Sequence, residues 1–144
     1  MNTVTLILRY VAALFAGSFA FVFTVYGLHL LAAQLIPGAD FGAAMPDSPE
    51  AWRAFMDAMP LPAMFSVLFA HWAGTTVGAA IAVLLAGRKH PWPGWVIGVL
   101  GLVVGAMNNQ EIHAPMWMQV VDLIGYLPAA AVVSWRLTRR RTGA

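Results

Sequence analysis

Cysteine is absent from this chain of 144 residues. Its absence excludes disulfide bonds and thiolate metal sites, and it leaves the redox compartment undetermined. Charged residues are scarce as well, at 10% of the chain against about 25% in an average soluble domain. A soluble fold of this length could not bury the apolar side chains of a sequence that is 60% hydrophobic. The composition therefore predicts an integral membrane protein.

Sequence motifs of the common enzyme classes are also missing. The chain has no Gly-x-Ser-x-Gly, no glycine-rich phosphate-binding loop, no His-Glu-x-x-His and no Gly-x-Gly-x-x-Gly. No serine is placed with a histidine and an acid in the pattern of a hydrolase. These absences leave enzymatic activity open but make an enzyme the less favoured class.

Four hydrophobic segments have about the 20-residue length that a membrane-spanning helix needs. They cover residues 4–36, 61–86, 92–108 and 115–136. Between the first two, residues 48–59 form a predicted amphipathic helix with its apolar side chains on one face: Trp52, Phe55, Met56 and Met59. We therefore expect one all-α domain, residues 1–144, built as a four-transmembrane-helix bundle with a short external amphipathic helix.

The charged residues predict how these four spans are oriented. Seven of the eight basic residues fall on one side of the membrane: Arg9, Arg88, Lys89, Arg136, Arg139, Arg140 and Arg141. Five acidic residues fall in the connections on the other side: Asp40, Asp47, Glu50, Asp57 and Glu111. By the positive-inside rule the basic side is cytoplasmic, so we expect an inner-membrane protein with both termini in the cytoplasm. Because the basic residues flank the hydrophobic segments, they indicate contact with the lipid bilayer rather than with nucleic acid.

Small residues recur along one face of each span, which predicts glycine-rich helix packing. In the first span this face holds Ala13, Gly17, Ala20, Thr24, Gly27, Leu31 and Gln34. In the second it holds Ala70, Gly74, Gly78, Ala82 and Ala86. In the third it holds Gly94, Gly98, Gly101, Gly105 and Asn108, and in the fourth Met118, Asp122, Gly125, Ala129 and Val132. Such faces suit a compact bundle, and they suit a dimer or a larger complex equally well.

Asp122 is the only acidic residue inside a hydrophobic segment. A carboxylate in the membrane is costly and usually has a polar partner, so we expect it to pair with His71, with Asn108 or with a hydroxyl such as that of Tyr26. His29 lies at a similar depth, but its predicted face is roughly opposite the first helix's small residues. The candidate site residues are Asp122, Asn108, His71 and His29 in the spans, and Glu111 and His113 in the loop above them.

Three interpretations of these residues stay open. They can form a hydrogen-bonded cluster that fixes the register of the helices, or a site that handles a proton or solute. They can also hold a metal ion or haem, with His29 and His71 as ligands. The Glu-x-x-His pairs of helical di-metal sites are missing. Haem would need the two histidines to face each other, which the predicted face of His29 disfavours. The cofactor, if there is one, stays unknown.

Four features in chain order carry a resemblance to known proteins. A histidine stands near the end of the first helix, and the stretch DSPEAWRAFMDAMPLPAM follows it. Then come AHWAGTTVGAAIA and, after a glycine-rich third helix that ends in Asn, HAPMWMQVVDLIGYLPAAAVV. In these features nearly the whole chain resembles small bacterial inner-membrane proteins with four helices. The resemblance implies the topology and implies no activity.

Two functions are compatible with these observations. The smooth helix faces and the missing catalytic motifs favour a non-enzymatic protein that forms a homo-oligomer or serves as an accessory subunit of a larger membrane complex. The alternative is a ligand-handling membrane protein. It would use His29, His71, Asn108 and Asp122, in the outer half of the bundle, to bind a proton, a metal or haem.

Overall fold

The computed structural model describes residues 2–39 and 46–139, which are entirely α-helical apart from short connections. The helices are α1 (Thr3–Leu35), α2 (Pro49–Ala58), α3 (Leu61–Ala86), α4 (Trp92–Ile112) and α5 (Met116–Arg139). Three of them, α1, α3 and α5, are long and apolar enough to cross a membrane. The all-α prediction and the prediction of transmembrane helices are confirmed for these residues. Three of the charged residues on which the predicted orientation depends, Asp40, Arg140 and Arg141, lie outside the described residues.

Local signals in the sequence account for where the helices begin and end. The Ser48 hydroxyl accepts a hydrogen bond from the backbone N–H of Ala51 at 3.2 Å, and Pro49 then opens α2. Gly87 ends α3 in the left-handed conformation, with a φ of 95° that glycine adopts without strain. His113 ends α4 with a φ of 51°, and Pro115 follows before α5 begins.

The third predicted segment, 92–108, is too short, because α4 continues to Ile112. Residues Gln110 and Glu111 favour helix and extend it by one turn. Glu111, predicted to lie in a loop, therefore lies in the last turn of α4, and His113 alone of the two loop candidates follows the helix.

Helix α3 lies at the centre and packs against α1, α4 and α5. Its small residues Ala70, Gly74, Gly78, Ala82 and Ala86 are all buried, as the sequence indicates. A Cβ atom added to Gly78 would lie 2.6 Å from the carbonyl oxygen of Gly17 in α1. The backbones of α1 and α3 therefore touch at this level, and no larger side chain fits between them.

The predicted contact face of α1 is wrong from Gly27 onward. Gly27 is exposed, and a Cβ atom added there would meet nothing within 4 Å. The face that packs against α3 instead runs through Phe21, Val25 and Ala32, in line with Ala13 and Gly17. These residues follow one another mostly in steps of four, which are the ridges of the commonest type of helix packing. The predicted face alternates steps of four and three.

The predicted face of α5 is wrong for the same reason. Beyond Met118 and Asp122, the buried residues are Tyr126, Ala130 and Ser134, again in steps of four. Of the other predicted residues, Gly125 packs against the indole ring of Trp72 in α3, while Ala129 and Val132 line a groove between α3 and α5, which we call the α3–α5 groove.

The two ends of the helical packing differ in character. At one end, which we call the α2 end, Met56 and Met59 of the α2 region pack on Ala63, Met64 and Leu68 of α3. The amphipathic prediction for α2 is confirmed, because its apolar side chains turn inward while Arg53 and Asp57 are exposed.

The opposite end is fixed by Arg9. Its guanidinium Nε donates a hydrogen bond to the carbonyl oxygen of Leu85 at 2.7 Å, and the guanidinium group lies next to Gly87. The last carbonyl groups of α3 have no partner within their own helix, so a cation from α1 stabilises this terminus.

Candidate functional site

Asp122 is the centre of a buried polar cluster. Its side chain is 2% exposed, and three side chains bond to its carboxylate. His71 Nδ1 lies 2.8 Å from Oδ1, while the Tyr126 hydroxyl and the Asn109 amide donate to Oδ2 at 3.3 and 3.4 Å. We call these four residues the Asp122 cluster. The His71–Asp122 contact is a hydrogen bond from the ring to the carboxylate when the ring carries a hydrogen on Nδ1.

The residues of the cluster come from three helices. Asp122 and Tyr126 are one turn apart on α5, His71 lies on α3, and Asn109 lies near the end of α4. The indole N–H of Trp72 donates to the backbone carbonyl of Asp122 at 3.2 Å. Two successive residues of α3 thus bond to one residue of α5, which fixes the register of these two helices.

The glycines of α4 make room for the ring of Tyr126. Cβ atoms added to Gly101 and Gly105 would each lie 2.7 Å from a carbon atom of that ring. Its other side faces the ring of His71, with centroids 6.0 Å apart and 25° between the planes. The smooth face of α4 therefore holds an aromatic ring in place as well as bringing two helices together.

A cavity of about 360 Å³ lies beside the cluster at the α2 end. Its walls include Phe21 and Val25 of α1, Val67 and His71 of α3, and Tyr126 of α5. Trp52, Phe55 and Met56 of α2 line the side nearest the end of the helices. The cavity is mostly apolar, and the ring of His71 gives its wall a polar group held from behind by Asp122.

The structure brings His29 to the same place, contrary to its predicted face. It lines the cavity, and its ring centroid lies 5.8 Å from that of His71. The reason is the course of α1 along steps of four, which carries its packed face from Phe21 and Val25 to His29.

The other predicted residues lie near the cluster without joining it. Asn108 lines the cavity, but its neighbour Asn109 donates to Asp122. Tyr26 also lines the cavity, and 61% of this residue is exposed. The hydroxyl that bonds to Asp122 belongs instead to Tyr126. His113 Nδ1 lies 2.9 Å from the backbone oxygen of Glu111, so this pair forms a local contact at the helix end.

Sequence reasoning missed Asn109, Trp72 and Tyr126. The spacing held a signal for Tyr126, because a residue four positions after Asp122 lies on the same face of a helix. Asn109 was missed because the predicted helix ended at residue 108, whereas α4 continues to Ile112. Successive residues differ by about 100° around the helix axis, so Asn108 and Asn109 point in different directions. Trp72 carried no signal of its own beyond its place next to His71.

The arrangement of the cluster suits a ligand that bonds to the second ring nitrogen of His71. Within the described residues, the ring's hydrogen bond is the one to Asp122, and the ring itself lines the cavity. Nε2 can therefore accept a hydrogen bond from a hydroxyl, or donate one to a carbonyl when the ring is protonated. No group of three His, Cys, Asp or Glu side chains in residues 2–39 and 46–139 is arranged to hold a metal ion.

Comparisons with protein-family models, with curated proteins and with solved structures found no match to this chain. The resemblance to small bacterial inner-membrane proteins therefore stays a prediction.

Proposed function

We propose that this chain is a four-span inner-membrane protein that binds a small, mostly apolar ligand in the cavity, with the ligand's polar group at His71. The observation that carries the proposal is the position of the His71–Asp122 pair, a polar group on the wall of an apolar cavity of about 360 Å³. Pockets for small molecules have this character and usually measure roughly 300–1,000 Å³.

The four-span topology has support from α4. This helix has 21 residues, or about 31 Å at 1.5 Å per residue, which matches the roughly 30 Å hydrocarbon core of a bilayer. It also packs against α3 and α5. If all four long helices span the bilayer, Arg9, Arg88 and Arg136 share one side while Glu50 and Glu111 share the other. The positive-inside rule then places both termini in the cytoplasm and α2 at the outer surface.

The Asp122 carboxylate has a defined part in this proposal. It accepts the Nδ1–H of His71, and so it fixes the tautomer and the orientation of the ring. The pair can therefore bond to a ligand hydroxyl as acceptor, and to a ligand carbonyl as donor when the ring is protonated.

The proposal is tested by what copurifies with the protein. Full-length protein is purified in mild detergent, and its bound molecules are extracted and compared by mass spectrometry with those of His71→Leu and of Ser66→Ala. Ser66 lies on α3 outside the cavity and donates to its own helix at Ala63, so it is the matched control. We expect a bound molecule in the wild-type and Ser66→Ala proteins that is depleted in His71→Leu. The same bound molecules in all three proteins would overturn the proposal.

Assembly with other chains is the second candidate, and the α3–α5 groove favours it. The groove measures about 660 Å³ and is lined by small residues such as Gly125 and Ala129. Faces of this kind let helices of different subunits approach closely. We propose that the chain forms a homo-oligomer through this groove, which light scattering on the detergent-solubilised protein will detect. Ala129→Leu, which fills the groove, should then convert the oligomer to monomer, whereas a strictly monomeric wild-type protein would contradict this candidate.

A further inference from the structure

The cavity opens sideways between α1 and α4. These two helices meet where Ile97 approaches Gly17. Nearer the α2 end, Val22 of α1 and Val104 of α4 line the cavity and are 59% and 54% exposed. Residues that both line a cavity and face outward mark its mouth. In the proposed topology this mouth faces the acyl chains of the outer leaflet.

Helix α2 covers the end of the cavity that faces the aqueous phase. Met56 is buried, and Trp52 and Phe55 turn their rings toward the cavity while making an edge-to-face contact with each other. A ligand that comes from the bilayer therefore meets an open side, whereas one that comes from water meets an apolar cover. This geometry selects a molecule dissolved in the membrane.

The size of the cavity limits how much of such a molecule can enter. An apolar cavity of about 150 Å³ holds one benzene molecule. A cavity of about 360 Å³ therefore holds one substituted ring but not a long tail as well, and neither does it hold a phospholipid with two acyl chains. The tail of the ligand has to leave through the mouth between Val22 and Val104.

The walls define the chemistry of the ring. Aromatic side chains surround it on several sides: Phe21, Tyr26, Trp52, Phe55 and Tyr126. Such walls favour a flat, conjugated ring by stacking and edge contacts. At the polar point, His71 presents a nitrogen that suits a neutral carbonyl or hydroxyl. A fatty-acid carboxylate fits poorly, because the Asp122 carboxyl group lies directly behind His71, and two acidic groups would then share one imidazole ring.

We infer that the ligand is a prenylated quinone or its quinol, with the ring in the cavity, one ring oxygen bonded to His71, and the tail in the outer leaflet. The inference rests on the proposed function, which requires only that some small apolar molecule binds at His71. The quinone form accepts a hydrogen bond from His71 Nε2–H, and the quinol form donates one to Nε2. The same histidine therefore binds both forms according to its own protonation.

The test uses decyl-ubiquinone as the probe and the fluorescence of Trp52 as the signal. Full-length protein is reconstituted in phosphatidylcholine nanodiscs and titrated with the probe. The Trp52→Phe variant, titrated in the same way, shows how much of the quenching comes from the other tryptophans. We expect saturable quenching that depends on Trp52. Since a lost hydrogen bond to a buried group is worth roughly a factor of ten, His71→Leu should weaken the apparent affinity about tenfold. Ser66→Ala should bind like the wild type.

A second pair of measurements keeps the inference testable if His71→Leu fails to fold. Val22→Trp and Val104→Trp place a large side chain at the mouth, on the outward faces of α1 and α4. We expect each substitution to weaken the affinity for decyl-ubiquinone about tenfold. The affinity for 2,3-dimethoxy-5-methylbenzoquinone, which has no tail, should stay unchanged. Equal effects on both probes, or no effect on either, would overturn entry from the side.

Oleic acid separates this inference from the proposed function. If oleic acid binds in a way that depends on His71 and decyl-ubiquinone does not, the quinone inference is overturned and the proposed ligand site stands. If no probe binds and no extracted molecule depends on His71, both are overturned. Displacement of a copurified quinone by decyl-ubiquinone would support both.

Discussion

Asp122 joins three helices through single side chains, because its partners His71, Asn109 and Tyr126 lie on α3, α4 and α5. A buried carboxylate without partners would be strongly unfavourable in the membrane. The three donors remove that penalty and hold one ring nitrogen of His71, and the same contacts fix the relative positions of the helices. The contacts themselves fix the register, and the proposed ligand site uses the same cluster, so substitutions have to separate the two roles.

Two substitutions of Asp122 provide that separation. Asp122→Leu leaves three buried donors without an acceptor, which costs about 1–3 kcal/mol for each group that cannot find another partner. Asp122→Asn keeps the size of the side chain and one acceptor oxygen, so we expect a clearly smaller loss. Thermal unfolding in detergent, followed by circular dichroism, gives both values. The ligand proposal adds that Asp122→Asn stays folded but retains less of the bound molecule, since an amide oxygen holds the His71 ring less firmly than a carboxylate. Equal destabilisation by both substitutions would leave the cluster with a role in register alone.

The sequence predicted Asp122 and His71 because an ionisable residue stands out in an apolar segment and needs a partner at its own depth. It did not predict Tyr126 or Asn109. A tyrosine among apolar residues resembles an ordinary interfacial side chain, and two adjacent asparagines differ only in direction around the helix. The depth of a residue follows from counting along a helix, but the direction of its side chain depends on how neighbouring helices cross.

At the level of the helices, one rule explains where the predicted faces are right and where they are wrong. In α3 the small residues themselves recur in steps of four, and they are buried as predicted. The predicted faces of α1 and α5 alternate steps of four and three, whereas the packed faces run in steps of four from Ala13 to Val25 in α1 and from Met118 to Ser134 in α5. Composition alone cannot distinguish these two patterns in a segment that is apolar all round, because the lipid-facing side is as hydrophobic as the packed side.

Two glycines provide a matched test of the packed face of α1 and α3. Gly78→Ala would place a methyl group 2.6 Å from the carbonyl oxygen of Gly17, so the helices must separate, and overpacking of this kind typically costs about 1–3 kcal/mol. Gly27→Ala places the same methyl group where nothing lies within 4 Å, and an alanine in a helix is favoured over glycine by roughly 0.5–1 kcal/mol. We expect a lower unfolding midpoint for Gly78→Ala and an unchanged or higher one for Gly27→Ala. A loss of stability for Gly27→Ala would mean that this face is covered.

For the whole molecule, the proposed four-span topology depends on α4, because α1, α3 and α5 are the three helices that are long and apolar enough on their own to cross a membrane. The acidic residues of α2 and the end of α4 lie at the α2 end, and Arg9 and Arg88 lie at the opposite end. Side entry into the cavity depends on this arrangement, because the mouth faces lipid only if α1 and α4 both span the bilayer.

The absence of cysteine makes the topology directly testable, since any introduced thiol is the only one in the chain. Glu50→Cys, Lys89→Cys and Glu111→Cys place single thiols at α2, at the connection between α3 and α4, and at the end of α4, all at exposed positions. With a membrane-impermeant maleimide on cells whose outer barrier has been opened, we expect Glu50→Cys and Glu111→Cys to react at once and Lys89→Cys to react only after the inner membrane is lysed. If α4 did not span the membrane, Glu111→Cys would behave like Lys89→Cys. Because α5 would then cross in the opposite direction, a thiol introduced at Thr138 would become accessible from outside, and the cavity would no longer open into the outer leaflet.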